Sequence, residues 1–159
     1  MKNHDYKILI SACLLGERVR YDAKQKKLQH PLIESWRKAE ILLPVCPEVS
    51  GGLPTPRPAA EIQTNGTIKT ACGKDVSSAF KEGAEKTLAL ALQHQIKIVI
   101  LTERSPSCGS QHIYDGSFSG SIIDGQGVTS KLLRENGILV FNQYQLEDVE
   151  ALLSPSSMK

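Results

Sequence analysis

Ser105-Pro106-Ser107-Cys108-Gly109-Ser110 is the stretch of this 159-residue chain best equipped for chemistry. It sets a thiol among hydroxyls, a stiff proline and a glycine that lets backbone come close. Two further cysteines stand in comparable settings: Cys13 in Ser11-Ala12-Cys13-Leu14-Leu15-Gly16, and Cys46 in Pro44-Val45-Cys46-Pro47-Glu48. Three thiolates suit zinc with an open fourth position. They equally suit a [4Fe–4S] cluster with one iron open, because a closed cluster takes four ligands. Local spacing selects neither, since 32 and then 61 residues intervene and no Cys-x-x-Cys is present. Three unrelated buried thiols are the plainer alternative, free cysteine being among the most buried residue types. Spacing alone weighs the three readings equally. Glu48, beside Cys46, is a candidate acid–base group, with a solvated loop carboxylate as its plainer reading.

The elements that position these residues are legible as buried strands. Ile96-Lys97-Ile98-Val99-Ile100-Leu101 is a β-branched run of the kind covered on both faces, and Cys108 lies just past it. Lys7 to Ala12 leads into Cys13, and Ile41 to Val45 into Cys46. In open α/β sheets the carboxyl ends of strands are where ligands bind. The chain therefore reads as a scaffold bringing three thiols to one edge of one sheet.

Cys46 to Pro58 holds four prolines and two glycines in thirteen residues. Such a loop is expected to be neither helix nor inner strand, and to allow close backbone approach at Gly51-Gly52. Pro31 opens a short helix that carries Leu32, Ile33 and Trp36 and ends near Ala39. Asn65-Gly66 between Glu61–Thr64 and Thr67–Thr70 predicts a hairpin. Cys72 follows and reads as a spare small hydrophobe. Asp75 is the expected N-cap of a long helix with Val76, Phe80, Ala84, Leu88 and Leu92 on its apolar face. Tyr114-Asp115-Gly116 and Asp124-Gly125 read as turns. A helix through Val128, Leu132 and Leu133 closes at Gly137; Ile138 to Phe141 is the last strand and Leu146 to Leu153 the last helix. The prediction is one α/β domain over residues 1–159, with its core at about 6–153. It is a Rossmann-like three-layer fold with a mainly parallel sheet, right-handed crossovers and a small hairpin excursion.

Composition narrows the function classes. A net charge of +2 is too small to argue for nucleic acid. No apolar run approaches the roughly 20 residues that span a bilayer. Leu9-Ile10-Ser11-Ala12-Cys13 looks like a lipoprotein cleavage site, but the apolar part before it is only Ile8-Leu9-Ile10. A cytoplasmic location is expected, where thiols serve metals or catalysis rather than disulfides. The basic stretch from Arg18 to Lys27 is weighed as a phosphate or RNA contact and read as a solvated surface.

Several motifs together resemble one family. They are Cys13-Leu14-Leu15-Gly16 with Arg20-Tyr21-Asp22, then Pro44-Val45-Cys46-Pro47-Glu48-Val49-Ser50-Gly51-Gly52-Leu53-Pro54, then Ser105-Pro106-Ser107-Cys108-Gly109. Ile113-Tyr114-Asp115-Gly116 and Gly125-Gln126-Gly127-Val128-Thr129 complete the set. From Ser11 to Phe141 the chain is similar to the DUF523 family, whose characterised members are thiouracil desulfidases of the TudS type. The resemblance implies a [4Fe–4S] cluster on Cys13, Cys46 and Cys108 with one open iron, and catalytic roles for Glu48 and Ser105. Ser107, Gly109, Gly51 and Gly52 are the expected substrate-binding residues. Two positions depart from the pattern: Cys72, where an acidic residue is common, and the neighbourhood of Glu103, where a lysine is common.

The implied reaction is non-redox removal of sulfur from 2-thiouracil or 4-thiouracil, with the substrate sulfur on the open iron and uracil and sulfide as products. A thiocarbonyl sulfur is soft and an open iron accepts it, which makes the ring carbon electrophilic. Longer relatives that look like tRNA thiouridine desulfidases carry an additional domain, so a free base is preferred here to tRNA. A non-catalytic metal-cluster module is the remaining alternative. The expected partner is a small thiolated pyrimidine and no membrane, with nucleic acid the weaker reading; a homodimer is left open.

Overall fold

The computed structural model describes residues 5–16 and 29–153. Arg20-Tyr21-Asp22 and the basic stretch from Arg18 to Lys27 lie outside them. The central sheet has four parallel strands in the order β2-β1-β5-β8. These are β1 (Ile8–Ser11), β2 (Leu42–Val45), β5 (Ile98–Ile100) and β8 (Leu139–Phe141). Ile8 stands opposite Leu42 on one side and Ile98 on the other, and Ile98 opposite Leu139. Each strand is shorter than the run that announces it; Ile96 and Leu101, for example, are buried but lie outside β5.

Side chains alternate across this sheet, which is what two covered faces require. Ile8, Ile10, Ile98 and Ile100 pack with Ile33 and Trp36 of α1 (Pro31–Lys38) and Leu146 and Val149 of α5 (Leu146–Leu153). The Trp36 indole donates to Glu150 at 2.8 Å, joining the two helices. Leu9, Val99 and Val140 face the other way, onto Ala91 of α3 (Ser77–Gln93) and Leu133 of α4 (Val128–Glu135). The result is the expected helix–sheet–helix sandwich.

Two small antiparallel sheets stand apart from it. β3 (Ala60–Ile62) pairs with β4 (Ile68–Thr70) around Asn65-Gly66, as the turn residues predict. β6 (His112–Tyr114) pairs with β7 (Ile122–Asp124), where only turns are expected from sequence. All of β7 is exposed, so no apolar alternation announces it.

The helix α3 corrects the predicted face. Residues four apart advance about 400° on an α-helix, so such a stripe drifts about 40° per step. Phe80 and Ala84 are buried, but Leu92 is 56% exposed, and Gly83, Thr87 and Ala91 fill the buried side. Asp75 lies one residue before the N-cap Val76, and its carboxylate accepts from Ser77 N at 2.9 Å. Cys72 is exposed, not a buried hydrophobe. The expectation of no helix after Cys46 also fails: Pro47–Ser50 forms a one-turn helix, α2. Pro47 occupies the first helical position, where a missing N–H costs nothing and the fixed φ helps.

Candidate active site

Cys13 leaves β1 in a short 3-10 turn, Ala12–Leu15, closed by Gly16 in the left-handed region. Cys46 is the N-cap of α2 and places Glu48 in its first turn. Cys108 lies within the loop that joins β5 to β6. All three thiols line one cavity of about 410 Å³ at the carboxyl edge of the sheet, together with Glu48 and Ser105. The two small sheets add Ala60 and Glu61 of β3, Tyr114 of β6 and Gly120 of the β6–β7 turn to its wall. This volume falls in the usual range for small-molecule sites.

Glu48 is held on both oxygens. Arg57 Nε donates to Oε1 at 3.3 Å, and Ser105 Oγ donates to Oε2 at 3.3 Å. The Arg57 side chain is 4% exposed and also donates to Pro54 O and Thr55 Oγ1. Ser105 Oγ accepts from the backbone N–H groups of Ser107 and Cys108 at 3.0 and 3.1 Å. One hydroxyl thus shapes the Cys108 loop and touches the carboxylate.

The other predicted contacts do not line this cavity. Ser107 is buried, with its hydroxyl 2.7 Å from that of Thr129, and its carbonyl accepts from Thr129 N at 2.9 Å. Cys108 O accepts from Ser130 Oγ at 2.8 Å. These bonds explain why the Gly125–Thr129 motif accompanies the cysteine motif: it is the start of α4 packed under the Cys108 loop. Gly51 does allow close backbone approach, but to α3. A Cβ there would overlap Ala79 O, and one on Gly83 would overlap Pro47 O. Gly52 turns the chain at φ 94°, and a Cβ on Gly109 would meet His112 O at 2.5 Å.

Three buried charged residues at the cavity have no announcement in the sequence, because buried charges are rare and local patterns do not mark them. Arg57 is one. Glu103 is 7% exposed and accepts from the N–H groups of Arg104, Ser110, Gln111 and His112, from Ser110 Oγ, and from Asn142 Nδ2. Burial opposes the charge, but the Ser110 hydroxyl and the backbone N–H groups outweigh it and hold the carboxyl down at about 2. Glu61, 8% exposed, is the third.

Residues 8–145 match the family described as 2-thiouracil desulfurase. The chain belongs to that family. A solved structure described as the [4Fe-4S]-dependent thiouracil desulfidase TudS is 45% identical, with a TM-score of 0.90 over 93% of this chain and 97% of that one. The uncharacterized protein YbbK of Bacillus subtilis (strain 168) is 44% identical over 154 residues, 89% of this chain and 99% of YbbK.

The donor set of this desulfurase-family site can be tested against the cluster that the TudS description names. Among the described residues no group of three or more His, Cys, Asp or Glu is placed to hold a single metal ion. Three thiols lining one cavity match the donor set of a cluster that leaves one iron without a protein ligand. Burial pushes the Cys108 thiol well above its ordinary range, and the neighbouring Glu48, Cys46 and Cys13 add to the rise. Burial likewise raises Cys46, with Glu48 adding to it. A cationic metal core would reverse that balance and claim the thiols as thiolates. The residues present fit the group.

Proposed function

We infer that the chain desulfurates a free thiolated pyrimidine, turning thiouracil and water into uracil and hydrogen sulfide without net electron transfer. The convergence of Cys13, Cys46 and Cys108 on one cavity with the paired Glu48 is the observation that supports this most. The three cysteines would hold a [4Fe–4S] cluster and leave one iron without a protein ligand. When bound, the group supplies a Lewis acid tolerant of soft sulfur, which polarises the C=S bond.

The chain's own residues handle the proton. Glu48 Oε1 accepts from the Arg57 guanidinium and Oε2 from the uncharged Ser105 hydroxyl, so Oε2 is the working oxygen. It takes a proton from the water that attacks the thiocarbonyl carbon and returns it to a ring nitrogen or the departing sulfide. Ser105 keeps Oε2 aimed at the cavity through its 3.3 Å hydrogen bond. Arg57, nearly buried and held by the Pro54 carbonyl and the Thr55 hydroxyl, fixes the rotamer of Glu48 from the other side. The experiment is turnover of 2- and 4-thiouracil by anaerobically reconstituted protein, with Glu48→Gln measured beside it. Sulfide release that falls about 10²–10⁴-fold in a variant retaining its iron supports the assignment. A fully loaded variant that turns over like the parent contradicts it.

A further inference from the structure

Glu61 sits on β3, in the wall formed by the small sheets rather than at the cysteine edge. Its Oε1 accepts from Gly116 N at 3.0 Å and Phe118 N at 3.2 Å, pinning the turn between β6 and β7. Gln63 adds a second tie across the same junction, donating to Glu61 O and Gly116 O. Oε2 takes no hydrogen bond from the described residues. It is also not sealed in the core: the one fully buried side-chain polar atom without a partner among the described residues is Thr102 Oγ1. A nearly buried carboxylate that lines the cavity therefore keeps one oxygen unpaired and not fully covered. Leaving such an acceptor unpaired in a closed site is costly, and an N–H donor from a ligand relieves that cost.

We propose that Glu61 Oε2 accepts the N1–H of the bound base and so selects a free pyrimidine over an N1-substituted one; this rests on the desulfuration reading of the same cavity. The chemistry of the ring gives the match. In 4-thiouracil N1 lies across the ring from the thiocarbonyl carbon. With sulfur towards the cysteine edge, N1–H points at the opposite wall. A nucleoside carries its sugar on N1 and has no hydrogen to offer there. Its base would set a carbon against the carboxylate and leave Oε2 unpaired.

The variant Glu61→Gln isolates the claim. Gly116 N and Phe118 N hold the amide oxygen in the place of Oε1, so the amide nitrogen, a donor, replaces the free acceptor. Binding of uracil and of 1-methyluracil to the reconstituted holoprotein is measured by calorimetry, which needs no turnover. The parent should prefer uracil by roughly tenfold or more, and Glu61→Gln should erase that preference. A preference that persists in Glu61→Gln is steric and overturns the proposal, as does a parent with no preference. If the variant does not fold, a crystal structure of the parent with uracil decides. N1 within about 2.7–3.2 Å of Oε2 is expected, and N1 directed elsewhere overturns the assignment. Sulfide release from 4-thiouracil on the same preparation separates the two claims: a parent that binds with the expected preference but releases no sulfide defeats the desulfuration reading and leaves Glu61 in place.

Discussion

The loops after β2 and after β5 each deliver one cysteine to the cavity, and they are fixed by opposite means. The Cys46 loop is fixed by shape. Its one-turn helix lies so close on α3 that Gly51 and Gly83 face each other's neighbouring backbone with no room for a methyl group. The Cys108 loop is fixed by charge. A single buried carboxylate, Glu103, gathers the backbone N–H groups of Ser110, Gln111 and His112 and the side chain of Asn142. The first arrangement leaves no room for an added atom. The second tolerates small shifts of shape but not loss of its charge.

The largest effect should come from the polar loop. Glu103→Leu removes the acceptor of four backbone N–H groups, the Ser110 hydroxyl and the Asn142 amide, at about 1–3 kcal/mol for each group left buried and unpaired. We expect poor folding, or a melting temperature far below the parent's. A melting temperature within a few degrees of the parent's would mean that Glu103 does not hold the loop.

The shape-fixed loop has a test whose sign is diagnostic. Helix propensity alone predicts that Gly83→Ala stabilises by about 1 kcal/mol. Overpacking against Pro47 O predicts destabilisation by about 1–3 kcal/mol, with iron lost as Cys46 is pushed outward. Thermal unfolding with an iron count on the same sample decides between them. Stabilisation would remove the close-packing account.

A smaller effect distinguishes the loops by pH. The Glu103 carboxyl is held at about 2, against an ordinary value of 4.5. A depressed value means the stabilisation is fully present above about pH 4.5 and drains away as pH falls towards 2. Denaturant midpoints at pH 6 and pH 3 should therefore converge for the parent and Glu103→Gln. Gly83→Ala should keep its offset from the parent at both pH values. A Glu103→Gln offset that does not shrink at pH 3 would contradict the assignment.

The contrast also explains what was legible in the sequence. The cysteine positions could be read because buried parallel strands are continuous β-branched runs, and the segment that leaves such a run starts at the sheet edge. Pro44-Val45-Cys46-Pro47 misled on α2 because proline stops a helix in its interior but starts one at its first turn. Leu92 misled because a spacing of four is not the helical period. The β6–β7 sheet and the roles of Glu61, Arg57 and Glu103 were hidden because long-range hydrogen bonds to buried charges make them. Glu103 meets Asn142 at 2.6 Å and Glu61 meets Gly116 at 3.0 Å, contacts that no local pattern records. Gly51 was legible as a point of close approach, but not that the approaching chain is α3.

The central claim is that the two loops and the turn after β1 present three cysteines to one cluster while Cys72 stands apart. The most direct measurement is iron and acid-labile sulfide per chain after anaerobic reconstitution of four single variants, Cys13→Ser, Cys46→Ser, Cys108→Ser and Cys72→Ser. The first three should lose most of their iron and the absorption that goes with it. Cys72→Ser, altered at an exposed site outside the cavity lining, should match the parent. Equal iron loss in Cys72→Ser, or full loading in any one of the other three, would contradict the account.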